Sequence, residues 1–194
     1  MRLFVAVVPP RPVMLELRAA LTALPHHDPQ VRWCRPDTWH VTLAFLGQVP
    51  EDSLADLKER LGRAAARNTP LELALSGGGQ FDGRKLWTGV QGDRDRLGRL
   101  TESLAGAAKR CHIKVDERPF RPHLTLARVR PVPHPPPEPA PVGGPGRVDL
   151  QPYVDRMSAF RTPRWLVGEI DLFHSLDDPV KRYDRIGRWA LTGR

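Results

Sequence analysis

Apolar positions along the chain follow two periods, and the changes of period mark out its elements. Leu3 to Val8 is a nearly continuous apolar run stopped by Pro9-Pro10, which predicts a buried strand. From Pro12 to Leu24 the residues Val13, Met14, Leu17, Ala20, Leu21 and Leu24 recur every three or four positions. That spacing predicts an amphipathic helix with proline in its first turn. His40 to Phe45 alternates apolar with polar or small residues and predicts a strand. Ser53 is expected to cap a second helix whose buried face carries Leu54, Leu57, Leu61 and Ala64. Leu71 to Leu75 reads as a strand broken by Gly77-Gly78-Gly79, and Leu86 to Val90 as the next strand. Arg94 to Cys111 predicts a third helix on Leu97, Leu100, Leu104 and Ala108, and His123 to Val129 a further strand. The stretch Pro131 to Pro145 holds eight prolines in 15 residues and predicts a surface loop. Beyond it Val154 to Phe160, Trp165 to Phe173 and Arg182 to Leu191 read as strand-like. The last two are expected to form a hairpin through Asp177-Asp178-Pro179.

An internal repeat organises these elements. Shifting the chain by 83 residues, the interval from His40 to His123, superposes Leu3 on Leu86, Val7 on Val90, Leu17 on Leu100 and Leu21 on Leu104. It also superposes Arg35-Pro36 on Arg118-Pro119 and Thr42-Leu43-Ala44 on Thr125-Leu126-Ala127. With Arg11 on Arg94, 11 of the 45 positions from Arg2 to Leu46 are identical, enough to read each half as strand, helix, strand closing on His-x-Thr-Leu. A solenoid needs at least three units, so two copies predict a two-lobed body. The expected fold is one bilobal α+β domain over residues 1–194, duplicated across about 2–46 and 85–129. Two antiparallel-rich sheets would face a central cleft, with helices outside.

Composition narrows the partners. No stretch approaches 18 consecutive apolar residues, so no membrane helix is expected, and the N-terminal apolar run is too short for a signal peptide. Cys34 and Cys111 form no CxxC, which argues against a disulfide framework or zinc ribbon and for a cytoplasmic setting. The balance of 30 basic and 22 acidic residues leaves +8, which favours polyanions such as RNA. Since 25 of the 30 are Arg, a compositional bias explains the excess equally well, and charge by itself assigns no partner.

The repeated motif carries the chemistry. Alternation along a strand puts His40 and Thr42 on one face with Val41 and Leu43 on the other, and likewise His123 and Thr125 against Leu124 and Leu126. A pseudo-two-fold axis would bring both His-Thr pairs to one cleft. Two imidazoles titrate near neutrality and can act as acid and base together, while two hydroxyls can donate to phosphate oxygens. A lone His-x-Thr on a strand is more often structural, but its recurrence at a fixed offset amid diverged neighbours favours phosphoryl transfer. The unit contains no carboxylate and no metal-ligand spacing, so no metal or organic cofactor is expected. If one imidazole must be neutral and the other charged, the pH profile should be a bell with limbs near neutrality. His26, His27, His112, His134 and His174 lack histidine partners in the repeat and read as surface or structural. Trp33, Trp39, Trp87, Trp165 and Trp189 read as core or cleft wall.

Arg2-Leu3-Phe4-Val5-Ala6, His40 through Gly47 and Arg118 through Arg128 resemble the 2H phosphoesterase superfamily, in particular the RNA 2′,3′-cyclic phosphodiesterases also called 2′-5′ RNA ligases. Gly77-x-Gly79-x-Phe81 and Leu86-Trp87-x-Gly89-Val90 add to the likeness, which runs from residue 2 to about 130 and more loosely to Tyr183. The resemblance implies that His40 and His123 are the catalytic pair and that Thr42 and Thr125 hold the phosphate. It implies that His123 is the base, His40 the acid and Arg128 a substrate contact. Simple alternation instead puts Arg128 on the face opposite His123, unless a bulge turns it inward. Phe4 reads chiefly as core, with stacking on a base as its alternative role. The implied activity opens an RNA 3′-terminal 2′,3′-cyclic phosphate, or a cyclic nucleotide, to a 2′-phosphate, in a monomeric protein. The reverse reaction, 2′-5′ ligation, shares its transition state and stays open, as does a non-catalytic RNA-binding module.

Overall fold

The computed structural model describes residues 1–24, 28–116, 118–130, 148–178 and 180–194. The proline-rich segment Pro131 to Pro145, and His26, His27, His134 and Pro179, lie outside the described residues. The first half runs β1 (Arg2–Val7), α1 (Arg11–Thr22), β2 (Val31–Trp33), a short 3-10 turn, β3 (Val41–Gln48) and α2 (Leu54–Ala66). The second runs β4 (Leu71–Phe81), β5 (Lys85–Gly92), α3 (Arg94–Lys109) and β6 (His123–Val129). α4 (Gln151–Met157), β7 (Trp165–Val167), β8 (Glu169–Ser175) and β9 (Tyr183–Ala190) complete the chain. None of the described helices is long and apolar enough to cross a membrane.

The strands lie in the order β7-β4-β5-β6-β3-β1-β8-β9, with β2 on β6, and every pairing is antiparallel. From the centre outwards the halves therefore read β3-β1-β8-β9 and β6-β5-β4-β7, with the repeat equivalents β3 and β6, and β1 and β5, in matching places. The two expected sheets meet at a single registered pair, Val41 with Leu124, and so form one curled sheet. Those two residues are equivalent positions in the repeat, so the junction pairs like with like. The helices bury the apolar faces read from the sequence: Val13, Leu17 and Leu21 on α1, Leu57, Leu61 and Ala64 on α2, and Leu97, Leu100, Leu104 and Ala108 on α3.

Four local readings change. Gly77-Gly78-Gly79 does not end a strand, because β4 runs through it with a bulge between Ser76 and Gly78. Gly77 takes φ +68°, which a glycine adopts without strain. A Cβ on Gly79 would stand 2.2 Å from the Trp87 ring. The run thus serves a kink and a close approach. Val154 to Phe160 is not strand-like: Leu150, Tyr153, Val154 and Met157 recur at helical spacing, and the segment's first residues lie in α4, with a turn following Met157. Trp165 to Phe173 is two strands divided at Gly168, β7 pairing with β4 and β8 with β1, so the late chain adds β7 to the edge of one half and β8, then β9, to the other. Ser53 precedes α2 but caps nothing, since a turn through Pro50 to Ser53 already has helical backbone there.

Candidate active site

The central pair fixes the site. Val41 and Leu124 are fully buried, so His40, Thr42, His123 and Thr125, one residue to either side, stand on the opposite face of the sheet. Continuing the antiparallel register by one residue sets His40 across from Thr125 and Thr42 across from His123. The imidazoles and the hydroxyls thus occupy alternate corners of a square, histidines on one diagonal and threonines on the other. All four residues are half-buried. Among the described residues neither threonine hydroxyl has a protein partner.

Each imidazole is tied down in the same way. His40 Nδ1 lies 2.8 Å from the Thr38 carbonyl and His123 Nδ1 2.6 Å from the Arg121 carbonyl, two equivalent positions in the repeat. A carbonyl can only accept, so Nδ1 carries the proton and donates in both rings, leaving Nε2 for the cleft. The walls differ. The His40 ring is bordered by Phe4 at 4.8 Å, by Tyr183 edge-on at 5.3 Å and by Phe173 at 6.5 Å. The His123 ring meets Phe81 edge-on at 4.9 Å and Trp87 at 6.1 Å. Burial pushes the His40 pKa down to about 4; its bond to Thr38 opposes this, and the Arg128 and His123 charges add to it. His123 is lowered as well, by burial first and then by Lys85 and Arg128, against its bond to Arg121.

Arg128 reaches this face through a bulge. Along β5 and β6, Leu86 pairs with Ala127 and Trp87 with Thr125, so Leu126 is an extra residue and the alternation changes phase after it. Leu126 and Ala127 are consecutively buried, and Arg128 emerges on the side of Thr125 and His123. Its charge is felt by both histidines and by the Cys34 thiol, whose pKa burial raises. The same slip recurs in β3, where Leu43 is passed over between Thr42 and Ala44. It brings the exposed ring of Phe45, the repeat equivalent of Arg128, to the corresponding place. In both copies the leucine of His-x-Thr-Leu is the bulged residue.

The remaining candidates separate cleanly. Phe4 is 4% exposed, inside the aromatic wall against His40. Trp87 stands in the cleft wall, Trp39 and Trp165 are buried, and Trp33 and Trp189 pack against the core. His112 is exposed, and His174 is half-buried on β8. Periodicity does not reveal the parts that Phe81, Phe173 and Tyr183 play at the imidazoles. A signal for one wall was present, because Phe4 and Trp87 are equivalent in the repeat, and each ring borders its own half's histidine.

The sequence profile of the 2'-5' RNA ligase superfamily matches residues 37–178 of the chain. An RNA 2',3'-cyclic phosphodiesterase of Geobacillus stearothermophilus is 30% identical over 165 residues, covering 83% of this chain and 48% of the relative, so the chain spans about half its length. One from Archaeoglobus fulgidus is 33% identical over 134 residues, covering 67% of this chain and 73% of the relative. The crystal structure of E. coli LigT complexed with 3'-AMP superposes with a TM-score of 0.73 at 27% identity, covering 98% of each chain.

Proposed function

The chain belongs to the 2'-5' RNA ligase superfamily, and from that premise we propose that it opens the 2′,3′-cyclic phosphate at an RNA 3′ end, or of a cyclic nucleotide, and leaves a 2′-phosphate. The observation that carries this reading is the square across the Val41–Leu124 pair, with both Nδ1 atoms already donating to carbonyls. In-line displacement at phosphorus needs a base behind the attacking oxygen and an acid behind the leaving one. Two imidazoles on a diagonal meet that need. The threonines on the other diagonal donate to the two non-bridging oxygens, and the Arg128 charge acts on both imidazoles from the neighbouring rung. Phe4 packs against the His40 ring and keeps it in place.

In the order implied by the family resemblance, His123 Nε2 takes a proton from water as the water oxygen bonds to phosphorus. The bond from phosphorus to O3′ breaks, and His40 Nε2 gives its proton to O3′. One observation favours the exchanged order. In the free protein burial pushes the His40 pKa down to about 4, which would suit a neutral His40 acting as the base. An anionic substrate between the rings draws both pKa values upward, and the leaving group decides the matter experimentally.

The test is turnover of a short RNA with a 2′,3′-cyclic phosphate, in EDTA, with identification of the product. Steady formation of a 2′-phosphate is expected, because the imidazoles and hydroxyls supply acid, base and phosphate donors. His40→Ala and His123→Ala should each lower kcat by at least about 10²-fold. A substrate with a better 3′ leaving group should partly rescue His40→Ala alone; rescue of His123→Ala alone, or a 3′-phosphate product, would establish the exchanged order. Binding without turnover by the unmodified protein would overturn the catalytic reading in favour of an RNA-binding module. Activity lost in EDTA and restored by a divalent ion would replace the two-histidine mechanism with a metal-assisted one.

A further inference from the structure

Beyond the two His-x-Thr motifs the same face of the sheet carries an unusual row. β6 is flanked by β5 on one side and β2 on the other, and the register sets Lys85 opposite Arg128 and Arg128 opposite Arg32. Residues directly opposite share a face, so three cations stand side by side on three adjacent strands. Like charges in that relation destabilise a sheet. On β5 the residues Leu86, Thr88 and Val90 are buried, which turns Lys85, Trp87 and Gly89 to the cleft, where their partners are Arg128, Thr125 and His123.

Among the described residues the row has little of opposite sign beside it. Among the described residues no carboxylate forms a salt bridge with Arg32, Lys85 or Arg128, although arginines elsewhere are paired, Arg60 with Asp56 and Arg188 with Asp171 for example. Burial together with the Arg128 and Arg118 charges holds the Lys85 ammonium below its usual pKa, with Asp82 a weak counterweight. A sheet that keeps three uncompensated cations on one rung has a place for an anion. The reacting phosphate already has its own place between the His-x-Thr motifs. The cation rung lies two residues further along β5 than the Trp87–Thr125 rung, about 7 Å at ordinary strand rise. That is a distance one nucleotide can span.

We propose that the rung Arg32–Arg128–Lys85 is a second anion subsite, which takes the 5′-phosphoryl group of the terminal nucleotide while the His-x-Thr motifs hold its cyclic phosphate. The subsite rests on the cyclic-phosphate reading and names its preferred substrate: a strand end, over a nucleoside cyclic phosphate that lacks a 5′-phosphoryl group. In a mononucleotide that group is a 5′-monophosphate; in RNA it is the preceding phosphodiester.

The experiment compares a nucleoside 2′,3′-cyclic phosphate, its 5′-phosphorylated form and a dinucleotide ending in the cyclic phosphate. The last two are expected to show a lower KM than the first. Lys85→Ala and Arg32→Ala should each raise KM for the dinucleotide by about tenfold more than for the bare nucleoside, and Lys85→Arg should restore it. Each alanine variant should also flatten the dependence of log KM on log salt by about 0.7 for the dinucleotide. A gain from the 5′-monophosphate equal to that from the dinucleotide supports a subsite for any 5′-phosphoryl group. A gain from the dinucleotide alone, with none from the 5′-monophosphate, would overturn it, because the added nucleoside and not the phosphoryl group would then carry the affinity. Equal KM for all three substrates in the unmodified protein, or variants that raise KM for all three by one factor, would overturn the subsite. Should the unmodified protein turn over none of them, the cyclic-phosphate reading fails, and the subsite is judged by binding. Nucleoside 2′-phosphates with and without a 5′-phosphate would then differ in affinity in a Lys85-dependent way, or the subsite fails as well.

Discussion

At the scale of single residues, His40 and His123 share one hydrogen-bonding pattern and differ in their walls. Both imidazoles donate through Nδ1 to the carbonyl two positions back, and both lie below the ordinary imidazole pKa because burial disfavours the charged ring. This moves the expectation formed from unperturbed histidines. The profile of kcat/KM reports the free protein, so its limbs should fall on the acid side of 6.5, the lower one near 4. The profile of kcat reports the complex, where an anion stabilises the imidazolium, so its limbs should lie higher. Both belong to the coupled pair. Measuring the two profiles on one substrate checks this, and limbs of kcat/KM above 6.5 would contradict it. The histidines and threonines were legible as a constellation because they recur at one offset. Their pKa displacement was not, because the rings that bury His40 come from β1, β8 and β9, distant in sequence.

At the scale of elements, bulges and close approaches decide which face a side chain takes. Alternation read from the sequence put Arg128 away from His123. The structure turns it back, because Leu126 occupies an extra place opposite β5. A one-residue slip in register reverses every later side chain, and no local pattern announces it. The glycine run in β4 is a second such case. From the sequence alone the run reads as a break, yet it admits a kink at Gly77 and the Trp87 ring over Gly79. Gly79→Ala should displace that ring, lower stability by about 1–3 kcal/mol and reduce turnover, since Trp87 borders His123. Thermal melting with kcat/KM in the same preparation tests this. The pairing Gly79→Ala with Trp87→Leu should recover stability without recovering activity, and an unchanged melting temperature in Gly79→Ala alone would refute the clash.

At the scale of the whole molecule, the two halves meet at one pair of equivalent residues, and the four side chains of the site flank that pair. Leu124 is fully buried there, as Leu57 is on α2, away from the junction. Leu124→Ala and Leu57→Ala should each cost about 2–5 kcal/mol. Only Leu124→Ala should lower kcat well beyond what its stability loss explains, because it loosens the spacing of His40, Thr42, His123 and Thr125. Equal kcat in the two variants, measured well below their melting temperatures, would show that the junction does not set the site. Much of this is legible in the chain alone: an internal repeat, three helices with their buried faces, the strands that close each half, and the two His-x-Thr pairs. These are written in local periodicity and in identity at a fixed offset, both of which survive without a partner. The joining of the two expected sheets at Val41 and Leu124, the sharing of late strands between the halves, and the rung of Arg32, Lys85 and Arg128 emerge only when the chain folds. Those outcomes depend on register between strands far apart in the chain, which is set by bulges and by the packing of the whole sheet.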